Sequence, residues 1–126
     1  MSKKSKRRWV EVADAEASAL MNSLPASLRD KVSGVSITFS ERPEGDDIVE
    51  DGDEENLLGL FIGVPFGEEG ADDRLSPEIR LFVENIRDEV NGDEAAFRCE
   101  VRTTLLHEMG HYLGLDEDDL ELRGLL

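Results

Sequence analysis

The stretch from Thr103 to Gly114 constrains this chain more than any other. It holds both histidines of the sequence, His107 and His111, four positions apart, with Glu108 directly after the first. On an α-helix, positions i and i+4 share a face, with Cβ atoms roughly 5–6 Å apart. Two neutral imidazoles so placed can converge on one Zn²⁺, each Zn–N bond being about 2.0–2.1 Å. Glu108 lies one position round the helix, where it can reach a metal-bound water without being a ligand, the place a general base occupies in metal-assisted hydrolysis. The plainer alternative is an unrelated pair, one ring in the core and one solvated. Because the chain places its only two histidines on this spacing, the metal reading is favoured. The segment must then be a helix, and the remaining elements must pack along one side of it while leaving the histidines open.

Composition narrows what surrounds that helix. Hydrophobic residues make up 39% and charged residues 35% of the 126, so one core of modest size is expected under a charged surface. The formal net charge is −16, and it is unevenly placed. Lys3, Lys4, Lys6, Arg7 and Arg8 are five of the 14 basic residues; from residue 9 onward 9 basic face 30 acidic residues, a balance of −21. A body this acidic repels phosphate backbones, so no nucleic-acid partner is expected. Residues 1–8 read as a disordered basic tail and 9–126 as a single domain. No stretch has the length and apolarity of a signal or membrane-spanning segment, which predicts a soluble, cytoplasmic protein with no membrane partner. Cys99 is the only cysteine, so neither a disulfide within the chain nor a cysteine zinc site can form. Its apolar neighbours in sequence predict a small buried side chain. Oligomeric state is not legible.

Along the chain, apolar positions Trp9, Val12, Ala13, Ala17, Leu20, Met21 and Leu24 recur at threes and fours, predicting an amphipathic helix over 8–23 that Pro25 stops. Leu28 and Val32 suggest one more apolar turn. Residues 35–39 alternate as a half-buried strand, and 41–55 form an acidic loop. Asp51, Asp53 and Glu55 alternate there, but Asn56 and Ile62 stand where a calcium loop needs glycine and glutamate, so calcium binding is not expected. Residues 57–64 are nearly continuous in apolar character, predicting a buried central strand. After a second polar loop over 65–76, strand character returns over 78–83, and Ile86 with Val90 suggests a short helical turn. Asp93 is placed to cap the motif helix. Phe97, Val101, Leu105 and Tyr112 form its core stripe, and Glu100, Thr103, Thr104, His107 and His111 an adjacent stripe for chemistry.

A catalytic zinc site has three protein ligands. The 15 residues after His111 contain no further histidine or cysteine, so the third ligand is sought among their carboxylates. In an unbroken helix, residue 117 would lie about 9 Å beyond His111 along the axis, out of reach. Gly114 can instead adopt the left-handed conformation and turn the chain back. That favours Glu117, with Asp116 and Asp118 as alternatives.

The segment from Leu106 to Leu120, Leu24-Pro25, the strand from Leu58 to Gly63 and the strand from Pro77 to Phe82 together resemble the small bacterial minimal zincin-like metallopeptidases. The resemblance spans roughly 9–125. It implies a minimal zincin-like α+β fold: a small mixed sheet of three or four strands against an N-terminal helix and the helix bearing His107 and His111. It also implies Zn²⁺ as cofactor and peptide or protein substrates, with Glu108 catalytic. Metzincins place histidine where this chain has Glu117 and have a supporting methionine after the site, which is missing here. The expected function is peptide-bond hydrolysis; the alternative is a non-catalytic zincin-fold module that recruits basic protein partners through its acidic surface.

Overall fold

In the computed structural model, residues 3–43, 57–64, 66–67 and 76–124 are described, without the side chains of residues 3 and 117. Among these residues five helices and three strands follow in the order α1 (Lys3–Ser23), α2 (Ala26–Val32), β1 (Ser36–Ser40), β2 (Gly59–Ile62), β3 (Glu78–Phe82), α3 (Val83–Glu89), α4 (Glu94–Leu113) and α5 (Glu117–Leu122). The fold is α+β, with a small mixed sheet of order β1-β3-β2. β1 runs parallel to β3, Ile37 opposite Ile79, and β2 antiparallel, Phe61 opposite Ile79.

The central strand is therefore β3, not the apolar run at 57–64, which forms an edge. β3 carries Ile79, Leu81 and Phe82, all essentially fully buried. Its charged residues Glu78 and Arg80 masked this in the sequence, but they pair with each other at 3.1 Å, and Thr38 donates to Glu78 at 2.6 Å from β1. Charge on the open face of a one-sided sheet does not exclude a central position. β2, by contrast, is buried at Gly59 and only half-buried from Leu60 to Ile62.

One hydrophobic cluster joins α1 (Ala13, Ala17, Leu20), β3, α3 (Val83, Ile86) and α4 (Phe97, Val101, Leu105, Met109). Each such large side chain contributes about 1.5–3 kcal/mol on burial. Trp9 closes its N-terminal end, packing edge-on against Phe97 with ring centroids 4.7 Å apart.

Two further sequence expectations are corrected. α1 begins at Lys3, so residues 3–8 are helical rather than a disordered tail. Lysine and arginine are good helix formers, and the acidic body holds them: Lys6 reaches Glu41 at 3.3 Å and Glu84 at 3.7 Å, and Arg8 pairs with Glu94. Cys99 is exposed rather than buried. It lies two residues after Phe97, about 200° round the helix, on the side away from the core. The candidate calcium loop falls outside the described residues. Among them, no helix is long and apolar enough to cross a membrane.

Candidate metal centre

α4 is fixed at both ends by its own sequence. Asp93 caps the start by accepting from the Ala96 amide at 3.1 Å. At the other end Gly114 takes φ 72° and ψ 27°, the left-handed conformation its position predicts. The Leu115 amide donates to Gly110 O at 2.8 Å and the Gly114 amide to His111 O at 3.4 Å. That bond pair is a Schellman closure, which satisfies carbonyls the helix end would otherwise leave free.

The closure folds the following chain over Gly110, between the two histidines. A Cβ at Gly110 would lie 2.8 Å from Leu115 O and 3.3 Å from Leu120 Cδ1. Glycine inside a helix costs about 1 kcal/mol relative to alanine, and here it admits the returning backbone. The sequence carried the signal, an otherwise unfavourable glycine inside the motif, but its use emerges only when the turn is seen. Gly59 has a similar role: a Cβ there would meet Thr104 Cγ2 at 2.8 Å and Glu108 Cγ at 3.3 Å, so β2 lies directly against the helix beside the site.

The His107 and His111 rings lie 4.9 Å apart, centroid to centroid, at 68°. Both are exposed, the His111 side chain by 55%, whereas Glu108 between them is only 7% exposed. Glu108 Oε1 is 3.2 Å from His111 Nδ1. A proton held there leaves Nε2 as the lone-pair nitrogen of the neutral ring. Glu108 Oε2 is buried and has no hydrogen-bond partner. Burying an unpaired acceptor costs about 1–3 kcal/mol, and a catalytic role is one reason such a cost is borne. Burial lifts the Glu108 carboxyl above the ordinary glutamate range, against the opposing pull of His111 and then His107.

Beyond the closure, Asp116 caps α5: it accepts from the Asp119 amide at 2.9 Å, and Asp119 accepts in return from the Asp116 amide at 3.1 Å. Glu117 opens α5, but its side chain lies outside the described residues. Among the described residues no group of three or more histidine, cysteine or acidic side chains is set to hold a metal. Asp116 lines a cleft of about 530 Å³ with His107, Gly110, His111, Gly114, Leu115 and Leu120. On the other side of the histidines, Leu57, Leu58, Gly59, Glu100, Thr103 and Thr104 join His107, Glu108 and His111 around a second cleft of about 370 Å³. A smaller cavity of about 230 Å³ between α1 and α3 is lined by neither histidine; of its basic side chains Lys6, Arg7 and Arg87, Lys6 and Arg87 are ion-paired. Tyr112 is buried in the core.

The family profile of the zincin-like metallopeptidases matches residues 32–125. The chain belongs to that family. Comparison with curated proteins finds no match. Membership of the zincin-like metallopeptidases implies peptide or protein substrates and a general dependence on zinc. Two solvent-facing imidazoles beside a returning acidic turn are compatible with such an ion, and next to them Glu108 keeps one buried carboxylate oxygen unpartnered.

Proposed function

We propose that this zincin-like chain hydrolyses peptide bonds, with His107, His111 and Glu117 holding Zn²⁺ and Glu108 acting as general base. The observation that carries the reading is the pair of open imidazoles flanking a buried carboxylate whose Oε2 has no partner. When bound, the ion supplies Lewis acidity, which polarises the scissile carbonyl and makes water a better nucleophile at neutral pH. Glu108 Oε2 takes a proton as the water oxygen bonds to the carbonyl carbon. The same carboxyl then delivers that proton to the leaving nitrogen as the C–N bond breaks. His111 holds the other carboxylate oxygen and so fixes which oxygen does this work.

The substrate strand pairs with β2. The residues at 78–83 cannot serve, because β3 is paired on both sides. β2 is a sheet edge whose outer side pairs with no strand among the described residues, and it runs against α4 at Thr104 and Glu108. An extended peptide added there gains main-chain hydrogen bonds while its side chains enter the cleft.

The test is Glu108→Gln, compared with wild type for zinc content and for cleavage of unfolded casein. Stoichiometric zinc with cleavage lost is expected. Cleavage at the wild-type rate would remove Glu108 from the role of base.

A further inference from the structure

We propose that Glu100 sets the specificity of the cleft beside β2, and that the substrate side chain it receives is cationic, lysine or arginine. This rests on reading that cleft as the peptide-binding face. Glu100, Thr104 and Glu108 follow one another at four-residue intervals along α4 and all line the cleft. Thr104, itself buried, donates from Oγ1 to Glu100 Oε1 at 3.4 Å. The contact keeps one Glu100 oxygen beside Thr104 at the cleft wall.

Among the described residues Glu100 is a partly buried glutamate without a cationic partner; the exposed Glu11, Glu89 and Glu121 also lack one. Glu16, Glu41, Glu78, Glu84 and Glu94 each face an arginine or lysine. No lysine or arginine among the described residues pairs with Glu100, and none of them lines the cleft. The second acid there, Glu108, is nine-tenths buried with Oε2 unpartnered; the pocket combines two carboxylates, two threonines and the apolar Leu57 and Leu58, with His107 and His111 at the Glu108 end, away from Glu100 along α4. A lysine or arginine suits such a lining, with its stem on the leucines and its head on the carboxylate. A glutamate or aspartate would be repelled.

Eight helical residues separate Glu100 from Glu108, roughly 12 Å along the axis. An extended chain rises about 3.3 Å per residue, and both side chains reach toward each other, so the basic residue lies roughly two to four positions from the bond cut.

The experiment titrates the full-length protein with acetylated heptapeptides of alanine and glycine carrying lysine, norleucine or glutamate at the centre. Binding is followed by amide NMR shifts and repeated on Glu100→Gln and on Glu89→Gln, an exposed acid on α3 that controls for net charge. The expected result is about five-fold tighter binding of the lysine peptide than of its norleucine counterpart, the upper range for a partly exposed ion pair. Shifts should centre on Gly59, Thr103 and Thr104, with the preference falling below about two-fold in Glu100→Gln and persisting in Glu89→Gln. No lysine preference, no binding of the lysine peptide, or equal loss in both variants overturns the assignment. Zinc-loaded wild type that cleaves peptides without regard to basic residues also refutes the role of Glu100 while leaving the hydrolase intact. A Glu100-dependent lysine preference without any cleavage does the reverse.

Discussion

Replacing Gly110 with alanine sets two physical effects against each other, and the structure decides between them. Helix propensity alone predicts that Gly110→Ala stabilises α4 by about 1 kcal/mol. The new Cβ, however, would sit 2.8 Å from Leu115 O and 3.3 Å from Leu120 Cδ1. The nearer obstacle is backbone, and the 2.8 Å bond from the Leu115 amide to Gly110 O holds it in place. Relief requires lifting the whole turn off the helix, which weakens both closure bonds, each worth about 1 kcal/mol. It also disturbs buried Leu120. Overpacking of this kind costs about 1–3 kcal/mol, so against the helix-propensity gain the net change is a destabilisation of up to about 2 kcal/mol. Thermal unfolding should report this as a fall in Tm of about 3–5 °C per kcal/mol. Because the displaced turn leads into Glu117, zinc affinity should fall at least about ten-fold, equivalent to 1.4 kcal/mol. Gly114→Ala is the companion: it strains a left-handed residue by about 1–2 kcal/mol but brings its Cβ near nothing. If Gly110→Ala proved more stable than wild type with zinc affinity unchanged, the returning turn would not depend on that glycine and the reasoning would fail.

Other consequences are simpler to state. Asn85 is buried, donates to Leu57 O at 2.8 Å and accepts from Arg42 at 2.8 Å; Asn85→Ala should cost about 1–3 kcal/mol in urea unfolding and loosen the strand entry that lines the cleft. Leu120→Ala, at the same turn, should cost about 2–4 kcal/mol and lower zinc-induced stabilisation in parallel. The Asp88 carboxyl is held below its ordinary value mainly by the hydrogen bond from Arg42. Its contribution is therefore complete above the unfolded carboxylate value of about 3.9 and disappears as pH falls through the lower folded value. Both partners are nearly half exposed, so Asp88→Asn should cost only about 0.5 kcal/mol near neutrality. In acid unfolding curves that difference from wild type should shrink as pH falls below the unfolded carboxylate value and vanish below the lower folded one.

How far the sequence carried depended on whether a feature was local. The helix at 94–113 was written in short-range signals: Asp93 at the cap, Phe97, Val101 and Leu105 on one stripe, and Gly114 at the stop. The histidine spacing was legible for the same reason, since helical geometry alone brings the rings to one face. Strand order was not local. The sequence placed the most apolar run in the middle of the sheet, but position in a sheet is settled by partners, and Glu78 and Arg80 neutralise one another on the face of β3. Cys99 misled because its large apolar neighbours, Phe97 and Val101, are close in sequence but lie on the opposite side of the helix, while the apolar neighbours on its own face, Ala95 and Ala96, are small. The leader at 3–8 gave no sign of its ion partners, which come from as far away as Glu84 and Glu94. Gly59 and Gly110 belong to the same class: both mark close approach by a segment distant in the chain or folded back upon it.

A crystal structure of the protein loaded with zinc tests the central claim most directly. The account predicts one ion per chain, bound by a nitrogen from each of His107 and His111 at about 2.0–2.1 Å and by a carboxylate oxygen of Glu117, with Glu108 close by but outside the ligand set. An ion bound by only one of the two imidazoles, or no ion at this helix face in zinc-saturated crystals, would contradict it.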